Sequence, residues 1–119
     1  MKIGIDIVKV SRIRQLLEKY GDKFLKRVYT EKEIEQCSKK GYFIESLAGR
    51  FAAKEAVLKA LGTGKAIGIR WRDVEILDTG HKPPEVNLYG IPREKLGERH
   101  IEISISHERE FAIAVCIIF

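Results

Sequence analysis

Three residues of this 119-residue chain have the types and context for chemistry: Asp6, Glu55 and Lys59. Glu55 and Lys59 lie four apart in the run Phe51-Ala-Ala-Lys-Glu-Ala-Val-Leu-Lys-Ala-Leu61, so a carboxylate and an ammonium share one helix face. Asp6 interrupts an isoleucine-rich strand, where an unpartnered carboxylate is costly to desolvate. It needs backbone donors, a basic side chain or a metal. If folding brings Asp6 to Glu55, the two carboxylates make a poor zinc site and a reasonable magnesium site. Magnesium takes one or two carboxylates and completes its octahedron with waters and phosphate oxygens. Each residue also has a plainer reading: a solvated Glu55–Lys59 ion pair, and an Asp6 that caps the first helix.

The surrounding residues suit phosphate. Gly62-Thr-Gly64 closes the same run and could let backbone N–H groups approach an anion, although glycine also simply ends helices. Arg50, Lys54 and Lys59 come from one helix and could neutralise phosphate oxygens. Ser104-Ile-Ser-His107 puts two hydroxyls and a histidine near one strand end. A serine hydrolase finds no support there, because no G-x-S-x-G elbow is present and no acid is placed to orient His107.

These residues must be positioned by a small protein. The length fits a single domain, residues 1–119, with one real core. No apolar run approaches the roughly 20 residues that span a bilayer, and the N-terminus does not read as a signal peptide. Cys37 and Cys116 belong to no metal-type spacing and read as reduced thiols of a cytoplasmic protein. The net charge of +5 is concentrated: residues 1–30 hold eight Lys/Arg against three acids, while residues 31–119 balance at fourteen each. That quarter is a surface for an anionic partner or a solvated basic face.

Ile3, Ile5 and Ile7 alternate along a short strand. Val10, Ile13, Leu16, Leu17 and Tyr20 follow helical spacing until Gly21-Asp22. Thr30-Glu-Lys-Glu33 is a capping box opening a helix to about Lys39, and a long helix runs from Phe43 to Leu61. Residues 71–77 and 85–89 read as strands around a Gly80-His-Lys-Pro-Pro84 turn, and residues 91–97 as a short helix or loop. Residues 101–106 and 111–119 are further strands. The expectation is an α+β fold, an N-terminal strand and helices packed on a mostly antiparallel sheet. Both faces of the last strand are apolar, so both are expected to be buried, one of them at a subunit interface.

Together these segments resemble the short bacterial type of 4′-phosphopantetheinyl transferase, the holo-[acyl-carrier-protein] synthases. The matching pieces are Gly4-Ile-Asp-Ile7, Gly49-Arg-Phe-Ala-Ala-Lys-Glu-Ala56, Lys59-Ala-Leu-Gly-Thr-Gly64, Gly80-His-Lys-Pro83 and Ser104-Ile-Ser-His107, in the family's order and across nearly the whole chain. The resemblance implies Mg²⁺-dependent transfer of phosphopantetheine from coenzyme A to a serine of apo acyl carrier protein, releasing adenosine 3′,5′-bisphosphate, in support of fatty acid biosynthesis. It implies Asp6 and Glu55 as metal ligands, with Lys59 on the phosphates. Arg50, Gly62, Gly64 and His107 would contact coenzyme A, and Arg12 and Arg27 the acidic carrier protein. It implies a homotrimer with sites between subunits, and no nucleic-acid or membrane partner. One departure stands out: Glu108 follows His107 where a hydroxyl residue is familiar. Glu55 and a metal-bound water are both candidates for the base that deprotonates the serine. Two competing readings are a basic nucleic-acid-binding module, disfavoured because aromatics are not interleaved with the basic residues, and a magnesium phosphohydrolase using Asp6 and Glu55.

Overall fold

The computed structural model describes all residues, 1–119. Strand β1 (Lys2–Lys9) leads directly into α1 (Val10–Tyr20), which Gly21 ends with a positive φ of 55°. Helix α2 (Asp22–Val28) follows at once, where the sequence reading has only a break. It is too short for the periodic pattern to register, and its buried Phe24 and Val28 stabilise it through packing. Helix α3 (Glu31–Ser38) opens on the expected capping box: Thr30 Oγ1 accepts from the Glu33 N–H, and the Thr30 N–H donates to Glu33 Oε1 at 2.8 Å. Helix α4 (Phe43–Leu61) is buried around most of its circumference and is the element on which the rest is assembled.

The second half corrects the expected single sheet. Trp71–Asp73 form a 3-10 turn rather than strand, and β2 (Val74–Leu77) pairs only with β3 (Glu85–Leu88). After α5 (Gly90–Leu96), β4 (Ile101–His107) and β5 (Phe111–Ile118) join β1 in a separate antiparallel sheet of order β1-β5-β4. The free edge of β2 is hydrogen-bonded by helix side chains instead of a strand. The carbonyl of Val74 accepts from Lys54 Nζ, and that of Ile76 from Arg50 Nε at 3.1 Å. The Ile76 N–H donates to Glu33 Oε2 at 2.9 Å, and the Asp78 N–H to Gln36 Oε1 at 2.8 Å. Residues from α3 and α4 thus satisfy backbone groups that would otherwise be buried without partners.

The small residues of α4 set its distance from the three-stranded sheet. A Cβ at Gly4 would lie 2.0 Å from the Ala56 carbonyl oxygen and 2.7 Å from the Ala60 nitrogen. Only glycine permits this approach, and Ala52, Ala56 and Ala60 are correspondingly buried. The inner face of the sheet (Gly4, Asp6, Val8, Ala112, Ala114, Cys116, Ile103) meets α4. The other face of the sheet is left uncovered by the chain itself. Ile3, Ile5 and Ile7 are more than half exposed, and Phe111, Ile113 and Phe119 are also open, forming an apolar outer surface. A 119-residue chain has no third layer to cover it.

Candidate active site

Strand β1 carries Asp6 on its inner face, across from Ala114, and α4 carries Glu55 and Lys59 along the edge beside it. Because α4 rests on Gly4, Lys59 Nζ reaches Asp6 Oδ1 at 3.0 Å and the Ile5 carbonyl at 3.0 Å. The i,i+4 pair expected between Glu55 and Lys59 does not form, and the ammonium crosses to the strand instead. Glu55 is half-buried. Burial, then the negative charge of Asp6, push its carboxyl above the usual range, against the opposing pull of Lys59 and Arg12. Asp6 and Lys59 thus meet across 53 positions of sequence, and Glu55 lies near enough on the same helix for both charges to act on it.

The donor set suits a hard divalent cation. It offers carboxylate oxygens only, the chain has no cluster of three or more His, Cys, Asp or Glu, and Glu55 remains partly open to solvent. Such a site leaves most coordination positions to water and phosphate oxygens, the habit of Mg²⁺. Asp6 and Glu55 are the residues that would hold it.

Arg12, a carrier-protein contact by the resemblance, lies beside this group. Its guanidinium stacks over the Phe51 ring at 5.5 Å and its charge acts on Glu55. Spacing alone carries no sign of this, because the contact joins α1 to α4. Arg27 stays exposed on α2 and lines a recess of about 390 Å³ with Leu16, Tyr20, Lys23 and Phe24, an apolar floor under a basic rim.

Other expected residues fall elsewhere. Lys54 is fully buried against Glu33 at 2.8 Å, which corrects its reading as a phosphate contact. Burial lowers its proton affinity, with Glu33 opposing. Arg50, also buried, donates to the Ile76 carbonyl, Cys37 Sγ and Gln36 Oε1, and pairs with Asp78 at 3.2 Å. It lines a recess of about 150 Å³ with His107, Tyr42, Lys40 and Pro84. Arg50 and Lys59 are nine residues apart on one helix, about 13 Å along its axis. Within one chain the site residues therefore form two groups, Asp6/Glu55/Lys59 and Arg50/His107. The His107 ring packs on Tyr42 at 5.3 Å, a contact the sequence did not signal.

The turn after α4 also reads differently in three dimensions. Gly62 takes a left-handed φ of 81°, and the N–H groups of residues 62–64 donate to the Leu58 and Lys59 carbonyls. An N–H cradle for phosphate is therefore not available in this conformation. What Gly62 and Gly64 leave is open space, with no atom within 4 Å of an added Cβ. Ser104 and Ser106 lie on the outer face of β4, whereas His107 pairs with Ala112 of the inner register, so no serine–histidine couple exists. Glu108 accepts from the N–H groups of Glu110 at 3.0 Å and Phe111 at 3.2 Å, capping the β4–β5 turn.

Both the sequence and the fold have known relatives. The family model described as the 4′-phosphopantetheinyl transferase superfamily matches residues 2–116. The holo-[acyl-carrier-protein] synthase of Aquifex aeolicus is 46% identical over 118 residues, covering 98% of this chain and 96% of the relative. The crystal structure of the Helicobacter pylori holo-[acyl-carrier-protein] synthase in complex with coenzyme A superposes with a TM-score of 0.85 at 36% identity, covering 98% and 99% of the two chains. That of the Bacillus anthracis holo-(acyl-carrier-protein) synthase, in complex with CoA (3′,5′-ADP), gives 0.81 at 37% identity, covering 98% and 94%. With the convergence of Asp6, Glu55 and Lys59, this match over nearly the whole length means that the chain belongs to the 4′-phosphopantetheinyl transferase superfamily, among its holo-[acyl-carrier-protein] synthases.

Proposed function

We propose that this protein, a single catalytic domain over residues 1–119, transfers the 4′-phosphopantetheine arm of coenzyme A to a serine hydroxyl of apo acyl carrier protein. The adenosine 3′,5′-bisphosphate leaves, and the holo carrier enters fatty acid synthesis. The serine oxygen forms a bond to the phosphorus that bears the pantetheine as the bond from that phosphorus to the bisphosphate breaks, and the hydroxyl proton is lost to a base. The observation that carries the reading is the meeting of Asp6, Glu55 and the Lys59 ammonium at the β1–α4 contact.

Transfer between anionic phosphates needs charge neutralisation and alignment more than a covalent intermediate. Lys59 supplies a half-exposed ammonium already held at Asp6 by a 3.0 Å contact, beside the carboxylates that would meet the phosphates. Asp6 and Glu55 would hold Mg²⁺, which when bound would draw charge from the diphosphate and the departing group. Arg12 and Phe51 border the same edge of α4. The recess framed by Lys23 and Arg27 over Leu16, Tyr20 and Phe24 suits an acidic, partly apolar helix face of a carrier protein.

The exposed apolar outer sheet supports assembly, and we take the homotrimer implied by the family as the working form, with Arg50 and His107 of one copy completing the site of another. Two free, buried thiols agree with a cytoplasmic location. The test is direct: incubate the protein with apo carrier protein, coenzyme A and Mg²⁺, and weigh the carrier. The expected result is a mass gain of one phosphopantetheine, lost in Asp6→Ala and Glu55→Ala. No gain across several carrier proteins refutes the reading.

A further inference from the structure

The contact between α4 and the three-stranded sheet fixes a distance and leaves an orientation open. Ala52, Ala56 and Ala60 on Gly4 form a smooth surface, and the directional bonds across it, from the Lys59 ammonium to Asp6 and the Ile5 carbonyl, belong to the group being positioned, so the packing by itself permits the helix to roll. Roll matters at Glu55 and Lys59. Their carboxylate and ammonium lie about 5–6 Å or more from the helix axis, so a rotation of about 10° displaces them by about 1 Å. A misplacement of that size costs about 10²-fold in rate.

On the opposite side of α4 the bonds are directional. Lys54 is fully buried, and its ammonium donates all three protons: to Glu33 Oε1 at 2.8 Å, to the Trp71 carbonyl at 3.1 Å, and to the Val74 carbonyl. Each acceptor belongs to a segment anchored independently. Glu33 is held by the N–H groups of Thr30 and Ile76, and Val74 lies in the β2–β3 ladder. Lys54 immediately precedes Glu55, so three divergent hydrogen bonds set the azimuth of the turn that presents the carboxylate.

The geometry points to Lys54, through Glu33, as the positioning residue of the Asp6/Glu55/Lys59 group. It does not touch substrate; it holds α4 at the roll angle where Glu55 faces Asp6. This rests on the proposed transferase reading for its activity readout, and cation binding at Asp6/Glu55 gives a second readout that does not.

The experiment compares Lys54→Met and Lys54→Gln with the wild type. The methionine side chain fills the volume without donors, while Glu33 keeps its two backbone N–H partners. The glutamine amide retains two donors, one for Glu33 and one for a carbonyl. Each variant is assayed at least about 15 °C below its own melting temperature, clear of the usual unfolding transition. The readouts are kcat, KM toward carrier protein and coenzyme A, and Mn²⁺ affinity by electron paramagnetic resonance. Lys54→Met is expected to lose about 30- to 100-fold in kcat and about tenfold in Mn²⁺ affinity, with carrier KM within about twofold. Lys54→Gln is expected to recover about tenfold of the lost kcat and to remain roughly three- to tenfold below wild type.

Wild-type kcat and Mn²⁺ affinity in Lys54→Met overturn the proposal, as does a Gln variant no better than the Met variant. If Lys54→Met does not fold, Lys54→Gln decides alone. A fall in kcat of roughly three- to tenfold at constant carrier KM supports the role, and unchanged kcat overturns it. A wild type that binds Mn²⁺ but never modifies a carrier refutes the transferase reading and leaves the positioning test standing on affinity.

Discussion

Replacing Gly4 with alanine adds one methyl group at the point where β1 and α4 touch. The new carbon would sit 2.0 Å from the Ala56 carbonyl oxygen and 2.7 Å from the Ala60 nitrogen, both backbone atoms that no rotamer change can move. A carbon–oxygen contact relaxes at about 3.3 Å, so the helix must retreat by roughly 1.3 Å locally. Overpacking of this kind costs about 3 kcal/mol, the upper end of the usual range. The same retreat takes Lys59 Nζ from 3.0 Å to beyond hydrogen-bond reach of Asp6 and separates Glu55 from Asp6, for a loss of about 10²-fold in kcat. Urea denaturation measures the first quantity and carrier mass gain under saturating substrates the second. The expected variant is folded, with a midpoint lower by more than about 1 M and kcat down about a hundredfold. Gly4→Ala with kcat within about threefold of wild type would refute the claim that this contact sets the catalytic distance, whatever happens to stability.

Three further outcomes follow from the same geometry. Burial and Asp6 raise the proton affinity of Glu55, so its contribution favours the folded state below its unfolded value of 4.5 and is lost as pH rises through the folded value. Glu55→Gln should therefore abolish transfer yet melt higher than wild type at about pH 7, with the difference vanishing near pH 4; a variant less stable at neutral pH contradicts this electrostatic account. Arg27→Glu reverses a charge on the rim of the α1–α2 recess and should raise carrier KM about tenfold, more at low salt, with coenzyme A KM unchanged. Equal changes in both KM values would remove Arg27 from docking. Ile5→Lys and Ile113→Glu place charges on the open sheet face and should convert the assembly to monomer in light scattering; an unchanged mass would mean that this face is not the interface.

Much of this fold was legible because its signals are local. Alternation marks β1, β4 and β5, the Thr30/Glu33 capping box marks the start of α3, and the Phe43–Leu61 run with its glycine turn marks α4. Helix α2 leaves no such mark, because seven residues complete barely two turns, too few for periodicity to separate from noise. The split into two sheets was also hidden. Nothing local distinguishes a strand whose free edge meets another strand from one whose edge meets Glu33, Gln36, Arg50 and Lys54.

Residue types and spacing already establish the reactive inventory: two carboxylates without metal-type cysteines or histidines, one lysine a helical turn from Glu55, and an excess of positive charge in the first quarter. Ala52 and Ala56, one helical turn apart, also leave α4 a stripe that another backbone can approach closely, whereas that Gly4 is what meets it is decided by the fold. Which lysine reaches Asp6 and which is buried is settled by folding alone. Lys54 and Lys59 are the same residue type on the same helix, yet five residues of that helix place them on different sides, one at Glu33 and the Trp71 and Val74 carbonyls and one at Asp6. Folding likewise pairs Lys59 with a residue 53 positions away rather than with Glu55 four positions away. The physical reason is that charge pairing depends on distance in space, and the approach of α4 to Gly4 sets that distance.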